Sequence, residues 1–327
     1  MKLTVVYITG RKDPCANWAL ENIEQQIKKK DKIHLIVVDT YNRSPAVLGI
    51  RSKRLEDVVV TTPKPSIWQG PHRVTSVDWW ANSNARNTGI VLCKTDYIAF
   101  LDDRCRLGPR WLETVRFAED KRKSVVVGSY DKIEDGKRTM DHRRVQCPDG
   151  KRDCGGGWLY GCTLALPLNW CLEVNGFEEG CDGLSGEDYI FGYMLQNSGR
   201  TIDFVPSLFV ELERSRQHVN TFVRADKGVS PNDKSHAALD RFAKLKRTEF
   251  TPDLKNIRAQ LSRGGELPIP DPSGDHRDWY DSALIREAVA PPQAYVKLKS
   301  EDFFQHVRNV VDAIPVVPKD DELSKLR

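Results

Sequence analysis

The chain has 327 residues, 39% of them hydrophobic and 29% charged, with a net charge of +4. That balance describes a globular protein, excludes a disordered or membrane-embedded one, and does not by itself announce a nucleic-acid binder. No run approaches the roughly 18–20 apolar residues of a spanning helix, and the opening MKLTVVYITGRKDP has too short an apolar part for a signal peptide, so a soluble, cytoplasmic protein is expected.

In chain order, residues 3–9, 33–40, 57–62 and 96–102 read as buried strands. They are rich in β-branched residues and nearly continuous, as in a parallel sheet covered on both faces. Residues 17–30 carry Leu20, Ile23 and Ile27 at helical spacing and end in lysines that suit the helix dipole, and 76–93 reads as a second helix. The alternation predicts an open, mostly parallel central sheet flanked by helices.

Beyond residue 105 the rhythm changes. A helix is expected over 110–123, a strand over 124–130, and a charged loop over 131–154. The glycine-rich CGGGWLYG (154–161) follows. A helix over 186–199 has Ile190, Phe191, Met194 and Leu195 on one face, and 201–212 is a strand. From about residue 214 the composition turns polar and proline-rich, with helical pieces near 235–247 and 300–313. This part reads as a C-terminal extension that wraps around or caps the domain.

Eight cysteines include no CxxC pair, so free thiols are expected; a zinc site of Cys147, Cys154 and His142 is the alternative. Basic clusters at 51–54, 121–123 and 142–144 read as solvated surface and leave an anionic partner open.

The stretch TDYIAFLDDRCRL (95–107) runs an apolar strand into two carboxylates and then an arginine. Two acids at a buried strand end are costly unless something uses them. They belong to an ordered set: Thr9-Gly10-Arg11 after the first strand, Asp39 ending the second, Ala85-Arg86-Asn87-Thr88-Gly89 on a helix, Asp102-Asp103, Asn175-Gly176-Phe177-Glu178-Glu179, and Glu187-Asp188 opening a helix. Over roughly residues 3–210 this set resembles the family 2 glycosyltransferases with the GT-A fold, the fold of nucleotide-diphosphosugar transferases.

The resemblance implies an α/β GT-A catalytic domain over 1–213, an extension over 214–327, and inverting transfer of a sugar from a nucleotide-diphosphosugar to an acceptor hydroxyl. It places Thr9, Gly10, Arg11, Asp39, Arg86, Asn87, Asp102 and Arg104 at the donor. Asp39 would accept hydrogen bonds from the base or ribose, and Arg86 would offer a fork to phosphate or ribose oxygens. Asp102 would meet the ribose, and Asp103 a divalent Mn or Mg bridging the phosphates, since hard oxygen ligands suit these ions. His218 would complete the metal site. Arg104 departs from the pattern, because many relatives carry an acid there; its cation either weakens metal binding or helps neutralise the diphosphate. Asp188 would be the general base and Glu187 would orient the acceptor. Trp158 or Tyr160 would stack on it.

Three alternatives stay open. A nucleotidyltransferase shares paired acids, but its glycine-rich loop is missing where TGRKDPCAN stands. A non-catalytic sugar-nucleotide module would fit Arg104. A macromolecular acceptor, hydroxylated DNA bases or a protein as for some phage enzymes, would fit the basic clusters; otherwise the acceptor is a glycan.

Overall fold

The computed structural model describes residues 1–11, 14–40, 43–64, 82–121, 123–182, 186–214, 242–249 and 251–265. Strands β1 (Lys2–Thr9), β2 (Lys32–Asp39), β3 (Asp57–Thr61) and β4 (Tyr97–Asp102) form the parallel part of one sheet, in the order β3-β2-β1-β4. Because side chains alternate along a strand, β1 serves two cores at once. Leu3, Val5 and Tyr7 pack with helix α1 (Ala16–Gln26) through Leu20 and Ile23. Val6 and Ile8 pack on the other face with helix α2 (Asn82–Leu92) through Ile90 and Val91. Gly89 lets α2 approach β1, since a Cβ there would lie 2.3 Å from Val6 Cγ1.

Past β4 the sheet becomes mixed. The remaining strands are β5 (Cys105–Leu107), β6 (Val125–Glu134), β7 (Lys137–Thr139), β8 (Thr163–Pro167) and β9 (Ile202–Arg214). β8 pairs antiparallel with both β4 and β6, β6 runs parallel to β9, and β9 carries β5 antiparallel. Helix α3 (Trp111–Lys121) covers the face that α1 covers.

The stretch expected as a loop, 131–154, contains structure. β6 continues to Glu134 and turns through Asp135 and Gly136 (φ 50° and 73°) into β7, and helix α4 (His142–Gln146) follows. An Asp-Gly pair with both residues at positive φ makes the tight hairpin turn whose twist matches the strands. Helices α5 (Leu168–Glu173) and α6 (Glu187–Asn197) complete the domain.

The C-terminal segment returns to it. Phe242 is helical as expected and 243–247 form turns and bends, while 235–241 and the piece near 300–313 lie outside the described residues. Helix α7 (Leu254–Ser262), which no expectation covered, is capped by Asp253 accepting from the Asn256 N–H. Phe242 and Leu254 are buried in the core beneath α2. Arg258 Nη1 donates to the carbonyls of Ile90 (2.8 Å), Val91 (3.1 Å) and Cys93 (2.8 Å), at the end of α2 where helix carbonyls lack partners.

Candidate active site

β1, β2 and β4 end together at the carboxyl edge of the parallel strands, where open α/β sheets bind ligands. The alternation that splits the core also splits the two acids. Asp102 points toward α2 and Asp103 toward α1.

On the α2 side, the buried Arg86 guanidinium bridges two elements. Nη2 donates to Asp102 Oδ1 at 2.7 Å and Nη1 to Glu187 Oε1 at 2.6 Å, with Asn82 Nδ2 also on that oxygen at 3.3 Å. Burial alone would lower the Arg86 pKa, but Asp102, Glu187 and Asp188 outweigh it and raise it. Gly161 makes room for the guanidinium, since a Cβ there would lie 2.4 Å from Nη2. Arg86 is thus a clamp between β4 and the start of α6.

Asp188, next to Glu187, accepts from the N–H of Tyr189 (2.9 Å, Oδ1) and of Gly161 (3.3 Å, Oδ2). Burial, then the adjacent Glu187 charge, push its carboxyl up to about 7, against the pull of Arg86 and the two N–H groups. Gly186 enters α6 at φ 90°, and Ile190, Phe191, Met194 and Leu195 are buried, so the helix holds the acid firmly.

On the α1 side, Asp103 is 6% exposed and already engaged. It accepts from the Tyr7 hydroxyl, Thr9 Oγ1, the Cys15 N–H (3.1 Å) and the Arg104 N–H (2.7 Å), with Arg11 Nε at 3.9 Å. Burial and the neighbouring Asp103 charge raise the Tyr7 pKa well above its ordinary value, so the phenol stays a donor. The residue expected to face a metal instead fastens the ends of β1 and β4 to the start of α1. Gly10 is exposed beside Thr40.

Other expected donor residues also have protein partners. Both oxygens of the buried Asp39 are held by Arg43, through Nη2 at 2.6 Å and Nε at 2.9 Å. Arg104 (φ 57°) places its guanidinium 2.7 Å from Glu213 Oε1, away from the phosphate role expected of it. Asn87 donates to the Phe177 carbonyl (2.8 Å) and Glu179 Oε1 (2.9 Å) and accepts from the Phe177 N–H (2.8 Å), so its amide closes the Asn175–Glu179 turn. Trp158 packs edge-on against Phe204 in the α2-side core, while Tyr160 belongs to the opposite face of the sheet. His218 lies outside the described residues.

Residues 69–171 match the family model "Glycosyl transferase family 2". Among solved structures, S. aureus TarS 1-349 in complex with UDP-GlcNAc is similar at TM-score 0.50 and 14% identity, over 96% of this chain and 83% of that one. The chain has the GT-A fold of these glycosyltransferase structures, and its residues 69–171 carry the family 2 match. S. aureus TarS 1-349 without that ligand gives TM-score 0.50 at 13% identity over 96% and 83%. The TarS 1-349 complex with UDP gives 0.49 at 14% identity, covering 67% of this chain and spanning 62% of that one. No curated protein matches the sequence.

Sequence reasoning missed residues that build the site from a distance. Asp182 accepts from the N–H groups of Ser83 (2.8 Å) and Asn84 (3.2 Å) and so caps α2. Burial, then Glu179 and Glu187, raise its pKa well above the carboxylate range. Buried Lys64 pairs with Glu179, tying the end of β3 to the Asn175–Glu179 turn. The only local signal was Asp182 inside CDGLSG, a turn composition. None of the eight cysteines forms a disulfide. Among the described residues no group of three or more His, Cys, Asp or Glu is placed to hold a metal ion, and no helix is long and apolar enough to cross a membrane.

Proposed function

We propose that the protein is an inverting transferase that moves a sugar from a nucleotide-diphosphosugar to an acceptor hydroxyl, with Asp188 as general base. The observation that carries this reading is the Arg86 bridge, which locks strand-end Asp102 to Glu187 and so sets Asp188 at the donor edge of the sheet. The UDP-GlcNAc held by TarS on a similar fold supports a nucleotide-sugar donor. Residues 1–213 form the catalytic unit, and 214–327 the extension whose α7 closes on α2.

The donor lies across the ends of β1, β2 and β4. The Asp39–Arg43 pair and the Thr9-Gly10-Arg11 turn line its nucleotide end, and Asp102 its ribose and diphosphate. Asp188 takes the acceptor proton as the acceptor oxygen attacks the anomeric carbon. The bond from that carbon to the diphosphate oxygen breaks on the opposite side, the nucleoside diphosphate leaves, and the configuration inverts. A base whose carboxyl sits at about 7 is well matched to neutral pH. Glu187, fixed by Arg86, orients the acceptor.

The residues present fit a divalent cation through Asp102 rather than Asp103. The Asp102 side chain is 29% exposed, and its Oδ2 has no protein partner among the described residues, so it offers one hard oxygen ligand. Such a cation, Mg²⁺ or Mn²⁺, would neutralise charge on the departing diphosphate. Asp103 braces the strand end behind it.

The test is a screen of uridine, guanosine, thymidine and cytidine diphosphosugars for release of nucleoside diphosphate, with and without Mn²⁺. Release from at least one donor, lost in Asp102→Asn, is expected. Failure of all four to bind or turn over would overturn the proposal.

A further inference from the structure

Tyrosines from separate parts of the chain meet beside Asp188, and the donor chemistry uses none of them. Tyr130 lies on β6, Tyr160 in the segment before β8, and Tyr189 in the first turn of α6. The Tyr130 and Tyr160 ring centroids are 5.1 Å apart at 78°, and those of Tyr160 and Tyr189 are 5.4 Å apart at 63°. These are edge-to-face contacts in the favourable range. All three residues stay partly exposed, unlike the aromatic rings of the core.

The group is held rigidly. The buried Arg143 guanidinium sits 4.1 Å from the Tyr160 ring centroid and 5.7 Å from that of Tyr130. It is fixed in turn by Asp141 (2.7 Å), the Gly128 carbonyl (2.9 Å) and the Trp158 carbonyl. A cation over an aromatic face stabilises the pair most when water is excluded.

Two backbone links connect the rings to the proposed base. Gly161, directly after Tyr160, donates its N–H to one Asp188 oxygen, and the N–H of Tyr189 donates to the other. These bonds tie the backbone beside Tyr160 and at Tyr189 to the carboxylate, and Tyr130 joins the group through its contact with Tyr160.

We infer that Tyr130, Tyr160 and Tyr189 form the acceptor subsite, where a neutral saccharide ring stacks so that one of its hydroxyls reaches Asp188. The inference rests on the transferase reading above. Rigid aromatic faces suit the C–H face of a pyranose, and tyrosine hydroxyls suit its polar rim. Stacked nucleic-acid bases use the same faces, but Arg143, the buried cation against Tyr160, is already held by Asp141 and is not presented to a phosphate backbone. Trp158 packs against Phe204 and makes no contact with these three rings.

Saturation-transfer NMR with p-nitrophenyl pyranosides tests binding without needing turnover, and the donor screen tests the transferase reading separately. Saccharide binding to the wild type is expected, with affinity falling at least about tenfold in Tyr189→Ala and in Tyr130→Ala, and largely kept in the Phe variants. Where a donor turns over, the same Ala variants should raise the acceptor KM by a similar factor with a smaller change in kcat. Unchanged saccharide affinity in both Ala variants would overturn the inference. So would binding of hydroxymethylated duplex DNA in preference to every pyranoside, or joint loss of donor and saccharide binding in folded Ala variants, which would mark the tyrosines as structural.

Discussion

Replacing Asp188 by Asn separates its chemical role from its energetic cost. A carboxyl lifted from its ordinary value of 3.8 to about 7 is disfavoured in its charged form by the folded protein. At about 1.36 kcal/mol per pH unit this amounts to roughly 4 kcal/mol, reduced by the partial exposure of the side chain. The sign follows from the direction. A raised folded-state pKa contributes stability below the unfolded value near 3.8, and that contribution is lost as pH rises through about 7. Asparagine does not ionise, but it can accept only one of the two N–H groups now on the carboxylate, a loss of about 1 kcal/mol. The variant should therefore be more stable than wild type by about 2–3 kcal/mol at pH 8, and slightly less stable at pH 4. Urea unfolding at the two pH values measures this. Transfer should fall by ~10²–10⁴ while donor affinity stays near normal. In the wild type, kcat/KM should rise with pH to a plateau above about 7. Glu187→Gln should move that limb to lower pH, because it removes the like charge and leaves Arg86 to favour the Asp188 anion. The same stability change at both pH values would refute the perturbed carboxyl, and a full transfer rate in Asp188→Asn would refute the base.

Gly161→Ala should push the Arg86 guanidinium off its bridge, since the new Cβ would fall 2.4 Å from Nη2; circular dichroism should show a folded chain whose kcat/KM has dropped at least about tenfold, and a normal rate would contradict the clamp. Asp103→Asn should cost about 2–4 kcal/mol in urea unfolding, because buried donors from β1, α1 and Arg104 lose their acceptor; weakened Mn²⁺ response with unchanged stability would restore the metal role to Asp103. Arg258→Ala should cost about 1.5–3 kcal/mol and speed hydrogen exchange at the end of α2, where the carbonyls of Ile90, Val91 and Cys93 would lose their donor; unchanged exchange would mean α7 does not brace that helix.

Much of the fold and some of the site could be read along the chain. The β-branched runs named the four parallel strands to within a residue or two, and the apolar face of α6 was visible as Ile190, Phe191, Met194 and Leu195. The β6–β7 hairpin was missed although its Asp135-Gly136 turn stood in the sequence, because the charges around it resembled a loop. α7 was hidden by the polar composition on either side.

The residue types at the strand ends, and the alternation that must turn Asp102 and Asp103 to opposite faces, are properties of the sequence alone. Which of the two acids is enclosed by protein donors and which keeps an exposed oxygen was decided by tertiary structure. Arg86 reaches Glu187 across 101 residues and Asp102 across 16, while Tyr7 and Thr9 close on Asp103 from more than 90 away. Local pattern reports how a segment meets water and core, and so finds strands and helices. A carboxylate's role depends on which donors surround it, and at this site those donors arrive from distant segments only once the sheet has brought β1, β4 and α6 to one edge.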